Sequence, residues 1–210
     1  MQFYLNGYKP GDPDILPEAP GVTQRVAGLP GTVDVLVVGS GPAGTLLAAQ
    51  LSTFPGISTR LVERRRGPLE LGQADGIACR TVETFEAFGM GARLIREACW
   101  VNETVFWRPS PDDRSRIVRT GRIQDVEDGL SEFPHVIVNQ ARMQEYLLEY
   151  MRKSPSRMVP DYGYEFVGLN VEDGDYPVVV KLRGADGGEK IVRARRQIEE
   201  IANIREANHV

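Results

Sequence analysis

Gly39, Gly41 and Gly44 stand at G-x-G-x-x-G spacing, and a carboxylate, Glu63, follows 19 residues after the last of them. That combination is built for a dinucleotide. The first glycine allows a tight turn, the second lets a pyrophosphate reach the backbone, and the third lets a helix pack closely on a strand. The positive end of the helix then meets the phosphates, with the amides around Pro42 and Ala43 at its start. Pro42 costs little there, because its missing N–H would have no intrahelical partner. An acid at the end of the following strand accepts hydrogen bonds from ribose hydroxyls and repels a 2′-phosphate, so the set favours FAD or NAD over NADP. The alternative is a glycine turn that meets the pattern by coincidence. Arg64, Arg65 and Arg66 read either as solvated loop, the commoner meaning of a charge run, or as a phosphate clamp.

A second acid raises a different question. In "GQADGIACRT", residues 72–81, Asp75 lies between two glycines and ahead of a helix start. It is either a solvated turn residue, ordinary for Asp beside Gly, or a carboxylate aimed into a gap where the glycines let backbone and a bound molecule approach.

The elements that must position these groups are legible in the hydrophobic pattern. "VDVLVV" is a short, β-branched run of the kind buried on both faces of a parallel sheet. "TLLAAQLSTF" carries Leu47, Ala48, Leu51 and Phe54 at helical spacing, Pro55-Gly56 breaks it, and "STRLVE" is a second strand ending at Glu63. Further on, "RTVETFEAFG" predicts a helix with Val82, Phe85 and Phe88 along one side, continued after a kink by "ARLIREAC". "ETVFWRP" and "SRIVRTGRI" suit paired strands, and "PHVIVN" is a strand feeding the helix "QARMQEYLLEYMRK". Residues 163–195 change texture, with three strand-like runs separated by "DGDY" and "GADGG", an antiparallel meander. The expected fold is α/β: a Rossmann-like domain with a parallel sheet, plus that meander. Residues 1–31, with five prolines and five glycines, form an extended arm; 32–195 form the binding domain; and 196–210 form a divergent helical tail with Ile198, Ile201 and Ile204 on one stripe.

Bulk properties narrow the partners. A net charge of −4, 41% hydrophobic and 26% charged residues describe a soluble globular protein with no electrostatic bias toward nucleic acid or anionic membrane. The chain shows no signal-peptide pattern and no membrane-length apolar run, which predicts a cytoplasmic protein. Cys79 and Cys99 lack metal-ligand spacing and read as reduced thiols; no metal site is expected.

Taken together and in order, "VVGSGPAG", "LVERR", "GQADGIACRTVETFEAFG" and "EFPHVIVNQAR" resemble the N-terminal FAD-binding part of flavoprotein aromatic hydroxylases, in particular the phenol hydroxylase and 3-hydroxybenzoate 4-hydroxylase group. The resemblance runs from the N-terminal "MQFYLNGYKPG" to about Arg195. It implies FAD as cofactor, NADPH or NADH as a transient reductant, a phenolic aromatic substrate, O2, and a homodimer for full-length members. By the same resemblance Arg80, Gln140 and Arg142, with Gln73 and Arg64, join the glycine loop in holding FAD, whereas Asp75 and His135 face the substrate as the catalytic candidates. Lone His135 would otherwise read as a satisfied rim residue.

The implied chemistry gives the acid a purpose. An aromatic ring accepts oxygen from a reduced flavin more readily once its phenol has lost a proton. A free Asp near pKa 3.9 and a phenol near 10 are mismatched by about six units, roughly 8 kcal/mol, so the site must narrow that gap. The resemblance ends before the large substrate domain that family members carry, so that domain is expected to be absent from this chain, and the 210-residue chain alone is expected not to hydroxylate. The alternative reading is a truncated, noncatalytic dinucleotide-binding fragment.

Overall fold

The structure is a computed structural model and describes residues 3–4, 7–8, 11–22, 28–72 and 74–199. In chain order the elements are β1 (Phe3–Tyr4), β2 (Gly7–Tyr8), β3 (Thr32–Val38), α1 (Pro42–Leu51), β4 (Thr59–Glu63), β5 (Gly76–Ile77), α2 (Cys79–Ala87), α3 (Gly91–Glu97), β6 (Cys99–Val101), β7 (Glu103–Pro109), β8 (Ile117–Gln124), β9 (His135–Ile137), α4 (Gln140–Lys153), β10 (Asp161–Tyr162), β11 (Tyr164–Val171), β12 (Val178–Gly184) and β13 (Glu189–Glu199). They fall into two compact units, residues 1–68 with 144–210, and residues 69–143.

The first unit is built on a six-stranded mixed sheet in the order β10-β4-β3-β13-β12-β11. β3, β4, β10 and β13 run parallel to their neighbours within that group, and β11-β12-β13 is the meander. The two parts expected from the sequence are thus one sheet, because β13 closes the meander on one side and pairs with β3 on the other. Val33, Leu36, Val37 and Val38 of β3 are buried, as the middle of a parallel sheet covered on both faces requires. Leu29, Val33, Leu36, Val38, Val62, Val180, Leu182, Val192 and Ala194 form a continuous core on this sheet.

Two expectations are corrected here. Leu29, placed in the arm, is only 4% exposed and belongs to that core. Residues 196–199, placed in a helical tail, continue β13, with Arg196 opposite Val35 and Glu199 opposite Val38. The apolar stripe at Ile198 and beyond suggested a helix, but the open edge of β3 is a stronger organiser, since each residue added there satisfies backbone groups that would otherwise be orphaned. Residues 200–210 lie outside the described residues, so the rest of that expectation is not addressed. Of the arm, residues 11–22 lie along the end of α4: Leu16 and Ala19 donate backbone hydrogen bonds to Lys153 and Pro155, and Lys153 pairs with Asp12 at 2.7 Å.

The second unit has a three-stranded antiparallel sheet, β5-β9-β6, the helix pair α2–α3, and the separate hairpin β7–β8. Val82 and Phe85 of α2 and Leu94 of α3 are buried, and Gly89 between the helices has φ +73°, which lets the chain leave α2 without strain. The hairpin keeps Phe106, Trp107, Ile117 and Ile123 exposed. Cys79 is buried and Cys99 exposed, and neither forms a disulfide. Among the described residues no helix is long and apolar enough to cross a membrane.

Candidate functional site

The glycine loop sits where the motif requires it, between β3 and α1 at the carboxyl end of parallel strands. Gly39 has φ +95°, a conformation that glycine adopts without penalty, and its N–H donates to Val62 O at 2.9 Å, tying the turn to β4. Gly41 is extended and precedes α1, with Pro42 in the first turn, and among the described residues the Gly41 N-cap makes no side-chain cap hydrogen bond. A helix that starts behind a tight glycine turn directs the positive end of its dipole to an anion. Ala43 follows in the same first turn, and Gly44 is buried against the sheet, as the third glycine of the motif should be.

Glu63 lies at the end of β4 and is 6% exposed. Its Oε2 accepts from the Ser40 N–H at 2.8 Å and the Ser40 hydroxyl at 2.9 Å, and its Oε1 accepts from the Arg65 N–H at 2.9 Å. Burial pushes the Glu63 carboxyl up, yet the Arg65 and Ser40 amides, the Ser40 hydroxyl and the Arg65 guanidinium together outweigh it and hold the group below the usual carboxylate range. Sequence reasoning aimed this acid at a ribose. The structure also shows it bracing the glycine loop from below, so the same carboxylate organises the turn.

Ser40, Arg65 and Gln144 were not singled out as binding residues by the sequence, yet they complete this network. The Ser40 carbonyl accepts from the Thr45 hydroxyl at 2.8 Å and from the Gln144 amide. Ser40 could have been noticed as the first variable position of the motif. Gln144 gave only the weak signal of a polar residue four positions after Gln140, on the helix face that is otherwise apolar. Arg65 Nε pairs with Glu63 Oε1 at 3.2 Å. Tyr162, the β10 residue opposite Glu63, has its hydroxyl buried without a hydrogen-bond partner among the described residues. Burial, then the Glu63 charge, pushes its phenol up. A buried, unpartnered hydroxyl beside Glu63 fits a site that accepts a further polar group such as a ribose. Arg64 is exposed beside this network; with Arg65, Arg66 and Arg183 it lines an open cavity of about 340 Å³.

In the second unit the "GQADG" segment is held by its glycines. A Cβ on Gly72 would lie 3.0 Å from both the backbone N and the Cβ of Gln140, and one on Gly76 would lie 3.2 Å from His135 Nε2. Both glycines therefore permit close approach, but to protein groups. Gly76 pairs with Ile137, and the Val138 N–H donates to Asp75 O at 2.8 Å, so the backbone of Asp75 is fixed just before β5, opposite Val138, whereas His135 opens β9. The Asp75 side chain is exposed. His135 Nδ1 lies 2.8 Å from Asp125 Oδ2, a partner that nothing in the sequence marked. Gln140 opens α4 against Gly72. Arg80, in the first turn of α2, pairs with Glu83 at 3.1 Å, and Arg142 pairs with Glu97 at 2.7 Å. Gln73 lies outside the described residues. The sequence candidates are thus gathered into two clusters, one around the glycine loop and one around the β5–β9 ladder.

Comparison with known proteins places this geometry. The chain is 54% identical over 188 residues to the 3-hydroxybenzoate 4-monooxygenase of Comamonas testosteroni, covering 89% of this chain and 29% of that protein. It is 41% identical over 169 residues to the FAD-dependent monooxygenase terD of Aspergillus terreus, covering 77% of this chain and 27% of that one. The chain therefore spans less than a third of the length of these curated relatives. Among solved structures, p-nitrophenol 4-monooxygenase PnpA from Pseudomonas putida DLL-E4 shares the fold, with a TM-score of 0.66 at 20% identity over 80% of this chain and 40% of that one. A family model for the FAD binding domain matches residues 32–200, from the first residue of β3 to one position past β13, so the family's unit and the six-stranded sheet share their limits and this chain belongs to the FAD binding domain family.

Proposed function

We propose that this chain is the FAD-binding part of a flavin-dependent monooxygenase that hydroxylates a phenolic ring of the 3-hydroxybenzoate or phenol type, using NADPH or NADH and O2, in the cytoplasm. The observation that carries the reading is the glycine turn from Gly39 into α1, braced by Glu63, in a chain 54% identical to a 3-hydroxybenzoate 4-monooxygenase. Gly39, Gly41, Pro42, Ala43 and Gly44 hold the pyrophosphate, and Glu63 takes the ribose hydroxyls once the Arg65 guanidinium yields its share of the carboxylate. Gln73, Arg80, Gln140 and Arg142 are further contacts to FAD in the complete protein, and Arg64 lies beside the adenosine end. When bound and reduced, FAD supplies the activated oxygen atom that the ring accepts.

The chain's own residues supply the proton chemistry. Asp75 accepts the proton or the hydrogen bond of the substrate hydroxyl, and His135 is a second polar group of the substrate pocket. The pairing of β5 with β9 fixes the backbone next to each of them, which supports a role that needs little ordering when substrate arrives.

The test has two stages. Titrating the purified chain with FAD should quench flavin fluorescence, and Gly41→Val should weaken binding at least tenfold; no binding by either would refute the assignment. Fusing the chain to the remaining segment of the Comamonas relative should give 3-hydroxybenzoate-dependent hydroxylation, and Asp75→Asn should lower its rate by about 10²-fold or more with FAD retained. Unchanged turnover in that variant removes Asp75 from the chemistry.

A further inference from the structure

The β5–β9 ladder carries an imidazole with a carboxylate behind it. His135 Nδ1 and Asp125 Oδ2 are 2.8 Å apart, and their side chains are 30% and 19% exposed. Both are anchored independently of each other: His135 is the first residue of β9 and pairs with Val101 of β6, and the Asp125 N–H donates to Asn102 O at 3.1 Å just past the end of β8. The contact therefore joins two ladders at fixed points on their backbones.

A carboxylate that is ionised has no proton to give, so the hydrogen in such a contact belongs to the ring. A neutral imidazole that donates from Nδ1 leaves Nε2 as an acceptor lone pair. Nε2 lies beside Gly76, where an added Cβ would sit 3.2 Å away. Glycine at 76 thus leaves that edge of the ring uncovered by a side chain, and any other residue would press on it.

We propose that Asp125 is a positioning residue that locks His135 in the Nδ1–H tautomer, so that Nε2 is the acceptor presented beside Gly76. The catalytic use of that acceptor rests on the hydroxylase reading above; the tautomer does not. In that use, His135 Nε2 accepts from a polar group of the phenolic substrate, and Asp125 sets which ring nitrogen faces it. The role is the same in kind as that of a buried acid behind an imidazole base, which holds ring and tautomer without itself changing protonation.

The chain has two histidines, His135 and His209, so its ring nitrogens can be followed individually by long-range ¹H–¹⁵N correlation on the purified 210-residue protein, with His135→Gln supplying the assignment. At a pH where the ring is neutral, His135 should show the pyridine-type shift on Nε2. Asp125→Ala should move that shift to Nδ1, reversing the majority tautomer, and Asp125→Asn, which keeps an acceptor oxygen, should retain it on Nε2. A pyridine-type Nδ1 in the parent chain, or no change in Asp125→Ala, overturns the proposal. Should Asp125→Ala not fold, the parent and Asp125→Asn spectra still decide. Failure of FAD to bind, with the tautomer as stated, would refute the hydroxylase reading and leave the pair intact.

Discussion

The glycine loop and the β5–β9 ladder solve opposite problems. Around the loop, Ser40, Glu63, Thr45 and Gln144 are buried and hydrogen-bonded to one another, so the turn is held by protein whether or not a nucleotide is present. Around the ladder, the backbone is fixed but Asp75 is exposed and His135 half-buried. Binding a constant ligand rewards a finished, rigid cradle, whereas the role proposed for Asp75 and His135 calls for side chains left accessible on a fixed backbone.

That contrast can be broken at its strongest point first. Glu63→Ala removes the acceptor of two buried donors and an arginine amide, and should lower unfolding stability by about 2–4 kcal/mol in urea titrations. A loss below ~1 kcal/mol would mean the cradle is not braced by this acid. The same carboxylate sets a pH dependence. Its value is lowered in the fold, so its stabilisation is complete above the ordinary carboxylate range and is lost as pH falls through the lowered value. Glu63→Gln should flatten that acid limb.

In the second unit, Gly72→Ala drives a Cβ to 3.0 Å from the Gln140 backbone, which cannot turn aside, and should cost about 1–3 kcal/mol. Gly76→Ala meets only an imidazole edge at 3.2 Å and should cost under ~1 kcal/mol. Equal losses would show that the ladder, too, is a rigid cradle. Gly39→Ala forces a non-glycine residue to φ +95° and should cost roughly 1–2 kcal/mol, with FAD affinity falling about tenfold. The smallest effect belongs to the hairpin. Trp107, 61% exposed, can be replaced by Lys with a change under about 0.5 kcal/mol, and a larger loss would mean that face is packed.

The cradle was largely readable because its signals are local. A β-branched run, three glycines and a proline lie within a dozen residues, and each constrains its own backbone. α4 was equally plain, since its apolar residues recur at helical spacing over Gln140–Lys153. What escaped was nonlocal. The pairing of β13 with β3 depends on an edge more than 150 residues away, and the charged Arg195, Arg196 and Glu199 disguise a strand whose inward positions, Val192 and Ala194, are few. Asp125 likewise sits in the acidic turn "QDVEDG", where one acid looks like another until the fold sets His135 beside it. Gln144 needed the three-dimensional approach of α4 to the glycine loop.

The placement of β13 beside β3 has a consequence for how the molecule is made. As the polypeptide leaves the ribosome, β3, α1 and β4 emerge together, but the strand that fills the open flank of β3 follows only after all the other elements from β5 to β12. Until then β3 offers a bare, apolar ladder of the kind that recruits other chains. Nascent or shortened forms ending before about residue 190 should therefore depend on chaperones and clump without them, and the nucleotide loop should acquire its native shape only after β13 has emerged.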